Sequence, residues 1–450
     1  NPDRLRVDGN GLTGTSARDL ASGVLVTGLT GPLDYADRSY ALLPQSGWVA
    51  GANPEFRAVQ EPGPDECTLA TANLQRFFDD RDDPALSEPV LGAAAFQRRL
   101  AKTSRAIRDV LRCPDLVGVQ EVEDGDTLQR LADRINGDAV AAGGPSPGYQ
   151  AFLLEGHDPG GIDVGCLARA DRVTVLGWEQ AGAAATYINP ADGQPDILFD
   201  HPPLILELRI ASASRRAIDL RVAVNHLRSL IDIDDPDDGA RVMAKRQAQA
   251  EFLAGWLQAG QAAEPEALII ALGDFNAFQF NDGYADVHGT ARGAPAPADE
   301  VAIGRQADLV HPDYYSLLDQ LPPEERYTYV YRGNAQAIDH LLVSRPLRQL
   351  LRRVEVARLN ADFPASERND GARPERAADH DWLLAAFSLT APEWGDLDGN
   401  GLLEAADYAW MAEAMSENRP PSAGVNFDLD FNGRVDAADL AWLRRALVRR

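Results

Sequence analysis

Two polar side chains close the apolar run LIIALGDFN (268–276), Asp274 and Asn276. They stand two residues apart, so on an extended chain they point the same way. A carboxylate beside an amide can hold a phosphate oxygen, a metal-bound water or a hydroxide. Gly, Asp and Asn also build turns, and taken alone the segment favours a turn. Other apolar runs carry polar groups at their ends too. Asn73 follows TLATA, Gln120 and Glu121 follow DLVGV, and Asn225 and His226 follow LRVAV. Asp339 and His340 begin IDHLLV, and Asp379, His380 and Asp381 immediately precede WLLAAF. This inventory of carboxylates, imidazoles and amides comes with no Ser or Cys in a nucleophile's setting and no Walker-type loop. It suits metal-assisted hydrolysis of a phosphodiester. Glu121 and Asp379 can hold Mg²⁺ or a similar hard cation, which prefers oxygen ligands. The cation neutralises charge on the transition state. A His oriented by a carboxylate can take a proton from water, and Asn and His can donate to non-bridging oxygens.

These groups need a rigid frame. Leu268 to Leu272 are too apolar for a surface and too short for a membrane, and read as a strand buried on both faces. Strands are also expected at TLATANL, 115–123, 162–168, 219–225, 338–344 and 382–389, with helices at 93–111, 126–136 and 241–258. Strands alternating with helices over short connections define an α/β class. Its strand ends and their loops are where catalytic groups gather. His340 neighbours Asp339 on a strand, faces the opposite way and is read as structural.

At 450 residues the chain has room for about three domains of roughly 150 residues each. The net charge of −26 repels nucleic acid and anionic lipid in general, so any phosphate must be held locally. The lysines are Lys102 and Lys245; all other basic residues are Arg. Arg228, Arg246 and Arg332 flank the motifs and are read either as phosphate contacts or as a solvated face. Cys67, Cys113 and Cys166 lack metal-ligand spacing and allow at most one internal disulfide. No apolar run reaches the roughly 20 residues of a membrane span.

The ordered set TANLQRFFD (71–79), LVGVQEVED (116–124), GHDPGGIDVGCLAR (156–169), VAVNHLRS (222–229), LGDFNAF (272–278), YTYVYRGNAQAIDHLLVS (327–344) and ADHDWLLAAF (378–387) resembles the endonuclease/exonuclease/phosphatase superfamily. It is most similar to the bacterial extracellular nucleases within it, distant relatives of deoxyribonuclease I. The resemblance covers roughly 65–390. It implies a four-layer sandwich of two β-sheets flanked by helices. It also implies roles. Asn73 helps place the phosphate and the metal shell, and Glu121 is the main ligand of Mg²⁺ or Mn²⁺, with Asp379 completing that site. His226 contacts the scissile phosphate or protonates the leaving group. Asp274 orients or deprotonates the attacking water, and Asn276 holds the phosphate. Asp339 pairs with His380, and that pair is taken here as the base, although Asp274 is the base in other accounts of the superfamily. Asp163 in GIDVG is typical of the nearest relatives. Two positions depart from the pattern: Gln75 where some relatives carry an acid, and Trp382 where the last motif commonly has Pro.

The chain ends carry different signals. Residues 396–407 (DLDGNGLLEAAD) and 428–439 (DLDFNGRVDAAD) repeat a calcium loop. Asp396, Asp398 and Asn400, and again Asp428, Asp430 and Asn432, fill positions 1, 3 and 5. Leu402 and Arg434 offer backbone carbonyls at position 7, Glu404 and Asp436 stand at position 9, and Asp407 and Asp439 at position 12. With Asp at position 12, the pair resembles a dockerin domain over 394–448, small and all-α. That resemblance implies two bound Ca²⁺ and, as candidate partner, a cohesin-bearing scaffold. Ala405–Ala406 and Ala437–Ala438 depart from the hydroxyl residues that many cohesin-binding dockerins carry there. Residues 1–62 are β-rich and look like the tail of the OB-like domain that precedes such nucleases. The expectation is a secreted, monomeric enzyme acting on DNA, with RNA as a second candidate substrate, the alternative being a phosphoesterase of lipid or sugar headgroups.

Overall fold

A computed structural model describes residues 5–11, 19–36, 39–45, 48–84, 86–211, 217–305, 307–389, 397, 403–416, 429 and 434–448. The chain forms two compact units, Asn1–Phe387 and Ser388–Arg450.

The first unit is built on two six-stranded sheets. One runs, in spatial order, Leu351–Ala357, Trp382–Ser388, Glu66–Phe77, Leu116–Val122, Asp163–Arg169 and Tyr149–Leu153. The other runs Val173–Gln180, Leu204–Ile210, Ile218–His226, Ile269–Asp274, Asp339–Val343 and Tyr315–Ser316. Each sheet has a central parallel pair: Glu66–Phe77 with Leu116–Val122, and Ile218–His226 with Ile269–Asp274. The expected strands are all present. Those left unread lie mostly at sheet edges, such as Leu351–Ala357 (LRRVEVA), where charged side chains interrupt the apolar pattern, and Val173–Gln180, which is largely exposed.

The sheets pack face to face. At Gly118 a Cβ would lie 2.3 Å from Leu272 Cδ1 and 3.1 Å from Val224 Cγ1 of the opposite sheet, so the two sheets are in close contact there and any larger residue would have to displace the Leu272 side chain. Helices Ala93–Arg105 and Gly125–Ala141 cover the first sheet's outer face, burying Phe96, Leu100, Leu128 and Leu131 against Phe77 and Val119. Helix Gly239–Ala263 covers the second, with Leu253 and Leu257 against Ile269 and Phe275. The result is the four-layer sandwich. The helix expected over 93–111 is α only to Arg105; Ala106–Val110 widen into a π turn.

The N-terminal segment is strand-rich, as expected. Leu5–Val7 pairs parallel with Ser39–Leu42, which pairs antiparallel with Leu33–Ala36. All three cysteines are free thiols. Among the described residues no helix is long and apolar enough to cross a membrane.

The second unit holds two helices, Ala405–Ser416 and Ala437–Val448, around Leu397, Met411, Leu429 and Leu443. The sequence repeat has a structural counterpart. Buried Asp407 accepts the Leu397 and Glu404 amides at 2.6 and 2.8 Å, and buried Asp439 accepts those of Leu429 and Asp436 at the same distances. Glu404 and Arg434 are exposed and Asp436 is half-buried. The remaining calcium candidates, Asp396, Asp398, Asn400, Leu402, Asp428, Asp430 and Asn432, lie outside the described residues.

Candidate active site

The C-terminal ends of the parallel pairs and the N-terminal ends of their antiparallel neighbours meet at one edge of the sandwich. The first sheet brings Asn73 and Glu121 there, with Asp379 and His380 at the entry to Trp382–Ser388. The second brings His226, Asp274 and Asp339. Register pairs His226 with Asp274 and Asp274 with Asp339 across adjacent strands.

Local backbone irregularities aim these groups. Glu121 has φ +61° and sits where the register between Leu116–Val122 and Asp163–Arg169 shifts. Such a bulge bends a strand and re-aims a side chain. Asn276 lies in the left-handed region at φ +48°, which Asn tolerates better than most residues. Gly273 at φ +138° touches the neighbouring strand so closely that a Cβ would fall 2.0 Å from the Asn225 carbonyl oxygen.

Asn73 is the hub. Its Nδ2 donates to Glu121 Oε1 at 2.9 Å and to Asp274 Oδ2 at 3.1 Å, joining the two sheets. Its backbone carbonyl accepts the indole N–H of Trp382 at 3.1 Å. The residue that stands in place of Pro therefore braces Asn73. Asp274 Oδ1 accepts the Asn276 amide at 2.8 Å, and Asn276 Nδ2 donates to the Leu227 carbonyl at 2.9 Å. His380 Nδ1 lies 2.9 Å from Asp339 Oδ2. An ionised carboxylate only accepts, so Nδ1 carries the proton and Nε2 faces Asp274 Oδ2 at 3.9 Å. Thr328 Oγ1 donates to the same Asp339 oxygen at 2.5 Å. Gln75, the other departure, donates to Asp379 Oδ2 at 2.8 Å and accepts from Arg368 at 2.7 Å. It thus supports a metal-ligand candidate from behind.

Burial pushes the Asp274 carboxyl up to about 7, with the Asp339 charge adding to it. Burial works against a charged His380, but Asp339 first, then Asp274 and Asp379, overcome it and hold the imidazole well above its ordinary range. His226 is held well below that range by burial and by the neighbouring His201 and His380.

Sequence reasoning missed His201, whose ring stacks on His226 at 4.6 Å with 8° between planes, and Tyr329, 4.8 Å from His380. Asp200 and His201 follow only the short run ILF ahead of two prolines, and Tyr329 lies inside an aromatic run, so neither stood out as a strand-end signal. Asp163 does not join the cluster. It is buried, accepts the Gly156 amide at 2.8 Å and is pushed up to about 8 by burial and Glu155, which makes it an anchor of the 155–157 loop. His340 faces away, as expected, with Nε2 2.7 Å from the Ala277 carbonyl. Arg246 is neither a phosphate contact nor solvated. It is 1% exposed and donates to the carbonyls of Arg228 and Asn276 and to Asp282, at 2.5, 2.9 and 2.8 Å. Arg228 does line the pocket, and Arg332 lies over the Tyr331 ring.

Glu121, His226 and Asp274 each offer a ligand atom, all within 4.8 Å of one another. Asp379 lines the same pocket, of about 970 Å³. An oxygen-rich donor set of this kind fits a hard divalent cation.

The profile of the Endonuclease/Exonuclease/phosphatase family matches residues 70–380, and the chain belongs to that family. The profile of the Dockerin type I domain matches residues 394–448. No curated protein matches it. Similar solved structures include a humanized D. rerio TDP2, 14% identical over 72% of this chain and 99% of that one, with a TM-score of 0.42. The human Nocturnin catalytic domain is 17% identical over 74% and 97%, at 0.40. An endonuclease/exonuclease/phosphatase from Bacteroides vulgatus is 14% identical over 72% and 98%, at 0.40. Likenesses of this size carry no functional weight.

Proposed function

We propose that the protein is an extracellular, divalent-metal-dependent nuclease that hydrolyses phosphodiester bonds of DNA and RNA, tethered by its calcium-binding dockerin. Residues 1–62 are read as the tail of an OB-like domain ahead of it. One observation carries the nuclease reading: a single network, Asn73 on Glu121 and Asp274 with Asp339 on His380, closes over both sheets.

Glu121 and Asp379, with Asn73 beside them, would hold Mg²⁺ or Mn²⁺. Bound there, the cation supplies charge neutralisation at the scissile phosphate. Asp274 is fixed on both oxygens, by Asn73 and Asn276, and poised near neutrality, so it takes the proton of the attacking water. His380, kept cationic by Asp339, donates from Nε2 to a non-bridging oxygen as negative charge develops. This gives proton abstraction to Asp274 rather than to the His380–Asp339 pair. Neutral His226, held flat by His201, adds a hydrogen bond to the phosphate.

The test is a labelled panel of single-stranded, duplex and plasmid DNA and of RNA, with Mg²⁺, Mn²⁺ or Ca²⁺. Cleavage that drops by several orders of magnitude in Glu121→Ala and His380→Ala supports the reading. Absence of cleavage on every substrate refutes it, and full activity in either variant refutes the site. The second reading, a phosphoesterase of lipid or sugar headgroups, draws on the net charge of −26. Adding headgroup substrates to the panel decides between them.

A further inference from the structure

The turn that carries Asp274 and Asn276 continues into two aromatic residues. The Phe278 and Phe280 rings stack with centroids 5.4 Å apart and 25° between planes. Phe278 lines the active-site pocket, and Phe280 is 66% exposed. Tyr331 lines the same pocket and is 47% exposed, with the Arg332 guanidinium 5.1 Å from its ring centroid. Exposed apolar side chains gathered at one mouth mark a contact surface. The turn beneath them is fixed, because buried Arg246 ties the Asn276 carbonyl to Asp282 on either side of the aromatic pair.

The charge of the pocket points to what these rings contact. Its lining holds seven carboxylates, of which Asp282 and Asp200 are paired from beneath by buried Arg246 and Lys245, leaving Glu121, Asp158, Asp234, Asp274 and Asp379 against two guanidiniums, Arg76 and Arg228. Arg228 is committed to Ser229 Oγ at 2.9 Å and to the Ile231 carbonyl at 3.0 Å. Duplex binding draws most of its affinity from rows of Lys and Arg on phosphates, which this lining lacks. Unpaired bases offer another source, since stacking on an aromatic side chain is worth about 1–3 kcal/mol per base and is closed to bases inside a duplex.

We propose that Phe278 and Phe280, with Tyr331, form a base-stacking platform that selects unpaired nucleotides beside the scissile phosphate, making single-stranded nucleic acid the preferred substrate. This rests on the nuclease reading. The test uses the full chain carrying Glu121→Ala as a non-cleaving background. Affinity is measured for a fluorescent single-stranded oligonucleotide, for its duplex, and for a strand of equal length without bases. The single strand should bind at least about tenfold more tightly than either of the others. Phe280→Ala, a change at an exposed position, should cut the preference for the base-bearing over the base-free strand by about fivefold or more. Equal affinity for duplex and single strand, or an unchanged preference in Phe280→Ala, overturns the platform. Cleavage by the unmodified protein separates the two claims. If duplex and single strand are cut equally fast, the platform falls and the nuclease stands. If no nucleic acid is cut, both fall.

Discussion

Trp382→Phe tests whether the hub residue is held from behind. The indole is fully buried and its N–H donates to the Asn73 carbonyl at 3.1 Å. Phe keeps most of the ring's volume but has no donor. Losing one buried hydrogen bond costs about 1 kcal/mol, and the residual space adds about 1–2 kcal/mol. Urea denaturation should therefore show a loss of about 2–3 kcal/mol. The rate should fall as well, because Asn73 positions both Glu121 and Asp274. A displacement of about 1 Å can cost about 100-fold, and a loosened hub at half that scale predicts about tenfold in kcat. The control is Phe387→Leu, a core change on the same strand away from the site, expected to lose about 1–2 kcal/mol with kcat intact. If Trp382→Phe loses stability while kcat stays within about twofold, the indole only fills space and the positioning argument is wrong.

Other outcomes follow from the same geometry. Asp274 is pushed up to about 7 by burial, and a base must be ionised, so kcat/KM should rise with pH through its titration and level off above. A bound cation draws that midpoint lower, and a profile flat from about pH 4 to 7 contradicts Asp274 as base. Glu325 is held down at about 2, first by the hydrogen bond from Arg57, against burial, with Arg358 adding. A depressed carboxyl stabilises the fold above its ordinary pKa of 4.5, and that stability is lost as pH falls toward 2. Arg57 is more than half exposed, so screening limits the effect of Arg57→Ala to about 1 kcal/mol at neutral pH. The difference should vanish near pH 2 in urea denaturation, and one that persists there has another cause. For the dockerin, chelation should lower a calorimetric transition of the full chain, and Asp407→Ala with Asp439→Ala should abolish that calcium dependence. A thermogram indifferent to chelator rejects bound Ca²⁺.

Much of this site was legible because strand ends announce themselves. An apolar run stopping at Asp274 or His226 fixes both a frame and a direction, and two-residue spacing says which neighbours share a face. What stayed hidden depends on distant packing. Nothing in the sequence marks Thr328 as the second donor to Asp339, or His201 as the ring on His226, because these contacts join segments far apart in the chain. Arg246 was misjudged for a physical reason: a guanidinium is normally solvated, and it takes the buried Asp282 carboxylate together with the carbonyls of Arg228 and Asn276 to make its burial tolerable. Asp163 shows the converse. Its motif sits among catalytic motifs, yet its carboxylate serves a loop.

The division of the active centre between two sheets has a consequence for how the enzyme fails. Neither half owns a working set: Asp274 needs Asn73 from across the interface, and His380 needs Asp339 from the other side. On the proposed assignment, activity should therefore report on sheet-on-sheet docking. A lesion deep between the layers, where Leu272 and Val224 pack on Gly118, should lower activity without touching any residue of the candidate site. Inactivation by heat should then track the parting of the sheets rather than the melting of any one helix.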